Sequence, residues 1–157
     1  MILQEKDTIC AISTPAGVGG VAIVRVSGPD AISIADSVLS MSKPLAEKKA
    51  NTVSFGKLVK KVRSEELGVR SLSDNFGVEE SRNNACIVRD SGTSTGSVTE
   101  EEILDEVLVS IFRAPHSFTG EDVVEIAVHG SVFIQREAIK LLLAAGCRMA
   151  DHGEFTK

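Results

Sequence analysis

The stretch DVVEIAVHGSVFIQREAIKLLLAAG, residues 122–146, sets a strand directly before a helix. Up to residue 130 the side chains alternate between two faces, as they do in a strand. One of these faces is wholly apolar and consists of Val124, Ile126 and Val128. Ser131 then starts a helix with apolar residues on one stripe, and Gly146 is typical of a helix end. The stretch therefore predicts a sheet with an apolar face that a helix can cover.

Two further β-rich runs lie near the start of the chain, DTICAIST at 7–14 and VAIVRVS at 21–27. The loop PAGVGG joins them, and its glycines permit backbone angles that other residues avoid. A helix is predicted to follow, capped by Ser27 or Gly28, with Pro29 and Asp30 in its first turn and its end near Met41, because apolar residues recur at helical spacing from Ala31 to Val38. These patterns predict two adjacent strands followed by an amphipathic helix.

The middle of the chain has strand patterns at 52–60 and 104–113, with a short hairpin strand at 86–88. Most of the polar segment 61–102 is expected to be an exposed excursion, because its side chains offer little apolar area to bury. The order of elements becomes β-β-α-β-(β)-β-β-α-β. It indicates an α+β fold in a single domain, residues 1–157, with a mixed sheet and helices on one face.

Composition and charge exclude several classes of protein. No run approaches the roughly 18 apolar residues of a membrane span, and the first residues lack the segments of a signal peptide. We therefore expect a cytoplasmic protein with no membrane partner. The net charge of -5 argues against a nucleic-acid surface over the whole chain, so any such contact must be local or supplied elsewhere. Three widely spaced cysteines without a C-x-x-C pair predict buried or incidental thiols and no metal site.

The glycine loop matches a nucleotide-binding motif only in part. Gly17, Gly19 and Ala22 nominally fit the dinucleotide fingerprint, but that motif needs a helix after it, and here a strand follows. Two interpretations stay open, a tight turn between strands and a backbone that approaches a ligand. No G-x-x-x-x-G-K-[ST] motif occurs, so this chain alone is not expected to hydrolyse GTP.

Arg25 and Glu125 are charged residues in the middle of strong strands, where burial is costly unless the charge is paired. They are explained by a solvated face, by a structural ion pair between the two, or by a ligand site. His129 shares the strand face of Glu125 and either joins such a site or packs at the strand end. Glu121 and Asp122 are expected to brace the preceding S-F-T-G turn.

Three blocks of the chain resemble the N-terminal domain of the tRNA-modification GTPases, the MnmE or TrmE family. They are TPAGVGGVAIVRVSG (14–28), FRAPHSFTGEDVVEIAVHG (112–130) and AAGCRMADHGEFTK (144–157). The blocks stand in the same order as in the family, and S-F-T-G-E-D-x-x-E is highly specific as a block.

The resemblance implies a fold similar to the tetrahydrofolate-binding domain of aminomethyltransferases. It implies that the chain binds 5-formyl-tetrahydrofolate or 5,10-methylene-tetrahydrofolate, with Arg25 and Glu125 as the folate-contacting residues. It assigns no catalytic residue and no metal to this chain. It also implies a homodimer that forms through this domain.

By the same resemblance, the chain is the N-terminal piece of a longer GTP hydrolase whose helical and GTPase domains, with GTP and metal ions, would follow. That parent modifies the wobble uridine of tRNA together with the flavin- and NADH-dependent partner MnmG. Two rival functions stay open. One is a pure dimerisation module in which Arg25 and Glu125 form a structural pair and no ligand binds, and the other is a stand-alone aminomethyltransferase-like folate protein.

Overall fold

The computed structural model describes residues 7–63 and 99–156. The chain divides into one compact unit of residues 1–59 and 103–157 and a second unit of residues 60–102. The strand predicted at 86–88 lies outside the described residues. Most of the described residues belong to the first unit, and the ends of two strands, residues 60–63 and 99–102, belong to the second.

The described residues form seven strands, two α-helices and two short 3-10 helices. The strands are β1 (Ile9–Ile12), β2 (Val21–Ser27), β3 (Leu39–Ser40), β4 (Thr52–Arg63), β5 (Thr99–Phe112), β6 (Val123–His129) and β7 (Arg148–Met149). The helices are α1 (Ala31–Ser37) and α2 (Val132–Ala144), and the 3-10 turns are Leu45–Glu47 and Glu154–Thr156. No helix among residues 7–63 and 99–156 is long and apolar enough to cross a membrane.

The strands make one sheet in the order β3-β4-β5-β6-β2-β1-β7. β2 runs antiparallel to both β1 and β6, and β5 runs antiparallel to β6. β7 is parallel to β1, which it joins after α2 has crossed the sheet. The sheet is therefore mixed, as the sequence predicted.

Both helices pack on the same face of the sheet. The apolar residues of β2 and β6 that point to this face are almost completely buried, among them Val24, Val124 and Ile126. Ala31 of α1 and Leu142 of α2 belong to the same buried cluster. The α+β prediction with helices on one face is confirmed. Since the helices cover this face, Arg25 and Glu125 point to the other.

The boundaries of several elements differ from the prediction. α1 ends at Ser37 rather than near Met41, because Leu39 and Ser40 form β3 and pair with Leu58 and Lys57 of β4. The two strands flanking the polar segment are also longer than predicted. β4 continues to Arg63 and β5 begins at Thr99, so both strands reach farther into the segment 61–102 than predicted, and the rest of the expected excursion lies outside the described residues.

The glycine loop between β1 and β2 is fastened to the end of β6. Gly19 N–H donates to Gly130 O (3.1 Å), and Gly130 N–H donates to Gly20 O (3.3 Å). A Cβ atom on Gly130 would overlap the Gly19 carbonyl group. The Gln135 side chain of α2 donates a further hydrogen bond to Gly17 O (3.2 Å). The loop thus connects the antiparallel strands β1 and β2 through residues 13–20, and its second interpretation, a backbone that approaches a ligand, stays a prediction.

Candidate functional site

Arg25 and Glu125 lie directly opposite each other on β2 and β6. Both Arg25 bonds reach one oxygen of Glu125: Nη2 is 2.6 Å and Nε 2.9 Å from Oε1. Their side chains are 22% and 16% exposed, so the pair is half-buried at the surface of the sheet. The structure thus brings together the two residues singled out in the sequence, and it shows the ion pair that was one of the open explanations.

The ion pair leaves bonding capacity unused. Among residues 7–63 and 99–156, no hydrogen-bond partner lies at Glu125 Oε2 or at Arg25 Nη1. A carboxylate accepts through both oxygens, and a guanidinium has five N–H donors. The pair can therefore bind a further polar group without first breaking its own bonds.

Two aromatic rings contact Arg25. The guanidinium carbon is 5.0 Å from the ring centre of Phe118 and 5.6 Å from that of Phe155, both within the range of cation–π contact. The Phe118 side chain is itself 64% exposed and packs edge-on against Phe112. Sequence reasoning missed both rings as site residues, although they lie in the blocks SFTGED and GEFTK.

The loop that carries Phe118 is braced by its own polar residues. Asp122 Oδ1 accepts a hydrogen bond from Ala114 N–H (3.0 Å), and Ser117 Oγ donates to Glu121 O. Thr119 Oγ1 lies 2.7 Å from Ser27 Oγ on β2, which ties the loop to the sheet beside Arg25. The predicted bracing is confirmed for the Asp122 carboxylate, whereas Glu121 takes part in these bonds through its backbone.

Phe155 is held in place by an ion-pair cluster at the end of the chain. Arg148 Nη2 is 2.6 Å from Glu154 Oε1, and Arg148 Nε is 3.1 Å from Asp7 Oδ2. These carboxylates, Glu154 first, raise the pKa of the Arg148 guanidinium. Since Glu154 begins the 3-10 turn that contains Phe155, the cluster positions that ring against Arg25.

The same sheet face continues away from Arg25 as a mostly apolar surface. Ile23, Ala127 and Leu108 form the next row across β2, β6 and β5. Beyond this row lies a cavity of about 190 Å³, bounded by Val21, Glu106 and His129 as well as Ala127 and Leu108. An elongated ligand can therefore combine polar contacts at Glu125 with apolar contacts along the strands.

His129 lies at the far end of this face and is paired with Asp105 of β5. Its Nδ1 is 2.5 Å from Asp105 Oδ1, and its backbone N–H donates to Asp105 Oδ2 (2.8 Å). The backbone N–H of Glu106 also donates to Asp105 Oδ1 (2.9 Å). Asp105 is buried, whereas the His129 side chain is 70% exposed. Sequence reasoning missed Asp105, which fixes the orientation of the imidazole.

The remaining reactive groups lie apart from this site. Cys10 and Cys147 are free and buried, as predicted for the cysteines, and Cys86 lies outside the described residues. A hydrogen bond between the two thiols lowers the pKa of Cys10 and raises that of Cys147, and burial raises both. Within residues 7–63 and 99–156, no group of three or more His, Cys, Asp and Glu side chains could hold a metal ion.

Comparison with known proteins finds relatives of this chain in one protein family. Residues 8–157 match the family model described as the GTP-binding protein TrmE N-terminus. The chain is 41% identical over its whole length to a tRNA modification GTPase MnmE of Phocaeicola vulgatus, of which it covers 30%. Its identity to proteins of the same name from Parabacteroides distasonis and Lactococcus lactis is 39% and 38%, over 96% and 99% of the chain and 25% and 26% of those proteins. The chain thus spans between a quarter and a third of these relatives.

Proposed function

The chain belongs to the family of the TrmE N-terminus, and on that premise we propose that it binds a one-carbon tetrahydrofolate at Arg25 and Glu125. The observation that carries the proposal is the unused bonding capacity of the pair, Glu125 Oε2 and Arg25 Nη1. The pair lies beside exposed Phe118 and above an apolar strand surface.

Tetrahydrofolate has the groups that such a surface would recognise. Its pterin ring presents adjacent N–H donors, which a fixed carboxylate can accept, and a carbonyl oxygen, which a guanidinium can bind. The ring also has a face that can pack against Phe118. The row of Ile23, Ala127 and Leu108 offers apolar contacts for the part of the ligand beyond the ring. We propose 5-formyl-tetrahydrofolate or 5,10-methylene-tetrahydrofolate as the ligand, and an architecture like the folate-binding domain of aminomethyltransferases.

The relatives supply the wider function that we propose. They are named tRNA modification GTPases, and the chain spans at most 30% of the three compared above. We propose that the chain is the N-terminal domain of such a cytoplasmic enzyme, in which other domains hydrolyse GTP. In that enzyme the folate would donate a carbon to the wobble uridine of tRNA, and the partner MnmG would supply the redox chemistry.

We also propose that the domain forms a homodimer. Val21, Leu108 and Phe118 are large apolar side chains that are more than half exposed on or beside the sheet face of Arg25. Exposed apolar side chains grouped on one face are typical of surfaces that bind a partner. Light scattering across a concentration series should show twice the monomer mass, and a strict monomer at roughly tens of micromolar would contradict the proposal.

A second function is favoured by the ion pair itself. If Arg25 and Glu125 serve only to stabilise the fold, the domain is a dimerisation module without a ligand. The half-buried pair at 2.6 Å fits that role without any folate. The two functions differ in what the Glu125→Gln substitution does, because glutamine keeps the shape and loses the charge.

Calorimetric titration with 5-formyl-tetrahydrofolate separates them. We expect the wild-type chain to bind it and Glu125→Gln to bind about 10–100-fold more weakly, because charge-assisted hydrogen bonds contribute about 1.5–3 kcal/mol. The matched control is Glu47→Gln, the same change at an exposed residue of the first 3-10 turn, which should bind like wild type. Equal binding by wild type and Glu125→Gln would remove the folate site, and a lower melting temperature without an effect on binding would support the module.

A further inference from the structure

A second polar surface lies on β4 and the loop before it, and we name it the lysine groove. It is an open groove of about 510 Å³. The side chains that matter for its chemistry are Lys48, Lys57, Phe55 and the three hydroxyl groups of Ser40, Ser42 and Ser54. The side chains that line the groove have a net positive charge, because they include two ammonium groups and three hydroxyl groups but no carboxylate.

The charge of this segment is opposite to that of the chain. Residues 40–57 contain Lys43, Lys48, Lys49 and Lys57 but one acidic residue, Glu47, whereas the chain has a net charge of -5. In the part of the chain that the structure describes, none of these four lysines forms an ion pair. The positive charge is therefore available to an external anion. A local basic surface of this kind is one of the two ways in which the acidic chain was expected to contact a nucleic acid.

The loop that carries three of the lysines is held in a fixed shape. Arg113 Nη2 donates to Ala46 O (2.9 Å) and Lys48 O (3.3 Å), and the Asp36 carboxylate accepts from Leu45 N–H (2.9 Å). The Leu45 side chain is completely buried in the core. The lysines are thus presented on an anchored loop, which lowers the entropy that must be lost when they bind a ligand.

An aromatic side chain accompanies the charges. Phe55 lines the groove and is 58% exposed, and Lys57 lies two residues farther along the same strand face, opposite Ser40 of β3. A positively charged groove with an exposed ring is the combination that binds single-stranded nucleic acid, since phosphates contact the lysines and bases stack on the ring. An acidic peptide would satisfy the lysines but would make no use of an exposed aromatic face.

We propose that the lysine groove binds the backbone of single-stranded RNA, with Lys48 and Lys57 at phosphates and Phe55 stacked on a base. The choice of RNA rests on the proposed function in tRNA modification, whereas the positive charge, the hydroxyl groups and the exposed ring are properties of the groove itself. The groove shares no residue with the Arg25–Glu125 site. Contacts to phosphate oxygens orient an RNA without reading its sequence.

The test is fluorescence anisotropy of a labelled RNA hairpin with a single-stranded loop, titrated with the 157-residue chain at several salt concentrations. We expect binding at about 50 mM salt that weakens steeply as salt rises. Lys48→Glu and Lys57→Glu should each weaken binding roughly tenfold at low salt and reduce the slope of log K against log salt by about 1. The matched control is Lys140→Glu, which makes the same charge change on α2 and should bind within about twofold of wild type.

The aromatic contact is tested by Phe55→Leu, which keeps an apolar side chain and removes the ring. We expect roughly tenfold weaker binding of the hairpin and no change for a fully paired RNA duplex, because paired bases are not free to stack on the ring. Thermal melts of every variant check that the fold is retained.

Three results would overturn the proposal: no binding by wild type at about 50 mM salt, equal loss in the Lys140→Glu control, or competition by polyglutamate as effective as that by RNA. The last result would assign the groove to an acidic protein. Titration of the same variants with 5-formyl-tetrahydrofolate keeps this proposal separate from the folate site. If the wild-type chain does not bind folate, the proposed function is contradicted. The RNA titration would still show whether the lysine groove binds RNA.

Discussion

Glu125 and His129 lie four residues apart on β6, and each pairs with a side chain of a neighbouring strand in a different way. Glu125 is half-buried and bonds through its side chain to the side chain of Arg25 on the next strand. The other carboxylate, Asp105, is buried and accepts from two backbone N–H groups as well as from the ring of His129. One pair thus joins side chains alone, whereas the other holds the backbone of two strands together.

The difference separates a carboxylate that can exchange partners from one that cannot. Among the residues that the structure describes, no backbone group bonds to the Glu125 side chain and no partner lies at its Oε2, so moving it toward a ligand would leave none of those backbone groups unpaired. Moving Asp105 would leave the N–H groups of Glu106 and His129 without the acceptor they have now. Leaving such part-buried donors without an acceptor is costly. We therefore expect Asp105 to act on stability and Glu125 to act on binding.

The largest effect on stability is expected from Asp105→Ala. Loss of the shared acceptor should lower the free energy of unfolding by about 2–4 kcal/mol, since hydrogen bonds to charged groups contribute about 1.5–3 kcal/mol each and are not additive. Urea denaturation followed by circular dichroism measures this. The control is Glu106→Ala at the exposed neighbour, which should change stability by less than about 0.5 kcal/mol. Similar values for the two variants would erase the distinction between the pairs.

A smaller loss of stability is expected from Glu125→Gln. The pair with Arg25 is partly exposed, so solvent screens it, and glutamine can still accept a hydrogen bond from the guanidinium. We expect a decrease of about 1 kcal/mol or less in the free energy of unfolding, measured by the same denaturation. A decrease as large as that of Asp105→Ala would mean that Glu125 is a structural residue of the same kind.

Replacing Phe118, one of the two rings beside Arg25, separates an effect on stability from an effect on binding. Phe118→Leu should lower stability by about 0.5–1 kcal/mol, the value of an exposed cation–π contact, while a folate that stacks on the ring would lose more in binding. Val53→Ala, at an exposed apolar residue of β4, is a control that touches neither pair. Melting curves with and without 5-formyl-tetrahydrofolate compare the two effects. A ligand-induced shift unchanged by Phe118→Leu would place the ring outside the site.

The smallest effect is expected from His129→Gln. Its ring is exposed, and the backbone N–H of residue 129 keeps its bond to Asp105 whatever the side chain. We expect a change of less than about 0.5 kcal/mol in the free energy of unfolding. A loss comparable to that of Asp105→Ala would show that the imidazole, rather than the backbone N–H groups, is the partner that stabilises the carboxylate.

The sequence predicted the central strands and the second helix well, because their apolar faces follow regular periods. Residues 122–146 gave β6 and α2 almost to the residue, and Arg25 and Glu125 stood out as charges on otherwise apolar strands. The end of α1 was not predictable in this way. Leu39 suits both a helix and a strand, and its pairing with Leu58, distant in sequence, decided the outcome.

The residues of the site that sequence reasoning missed depend on contacts between distant segments. Phe155 reaches Arg25 because Arg148 pairs with both Asp7 and Glu154. Asp105 lies in a run of acidic residues, and its pattern did not distinguish it from exposed Glu101 and Glu102. A sequence signal was present for Phe118, because its block resembled a specific family motif, but the block did not show that the ring would contact the arginine.

The close approach of Gly19 and Gly130 has a consequence for how this domain can vary. Since the Gly19 carbonyl occupies the space where a side chain on Gly130 would begin, variation there cannot proceed by substitution without displacing the loop. Residues 14–18 lie beyond this junction, where the Gln135 side chain bonds to Gly17 O and the side chains of Pro15, Ala16 and Val18 are exposed. New functional side chains can therefore be introduced near the sheet edge by inserting or substituting residues at the loop tip, while the contact between Gly19 and Gly130 keeps the loop anchored. The same changes at the loop tip are open to natural variation and to protein engineering.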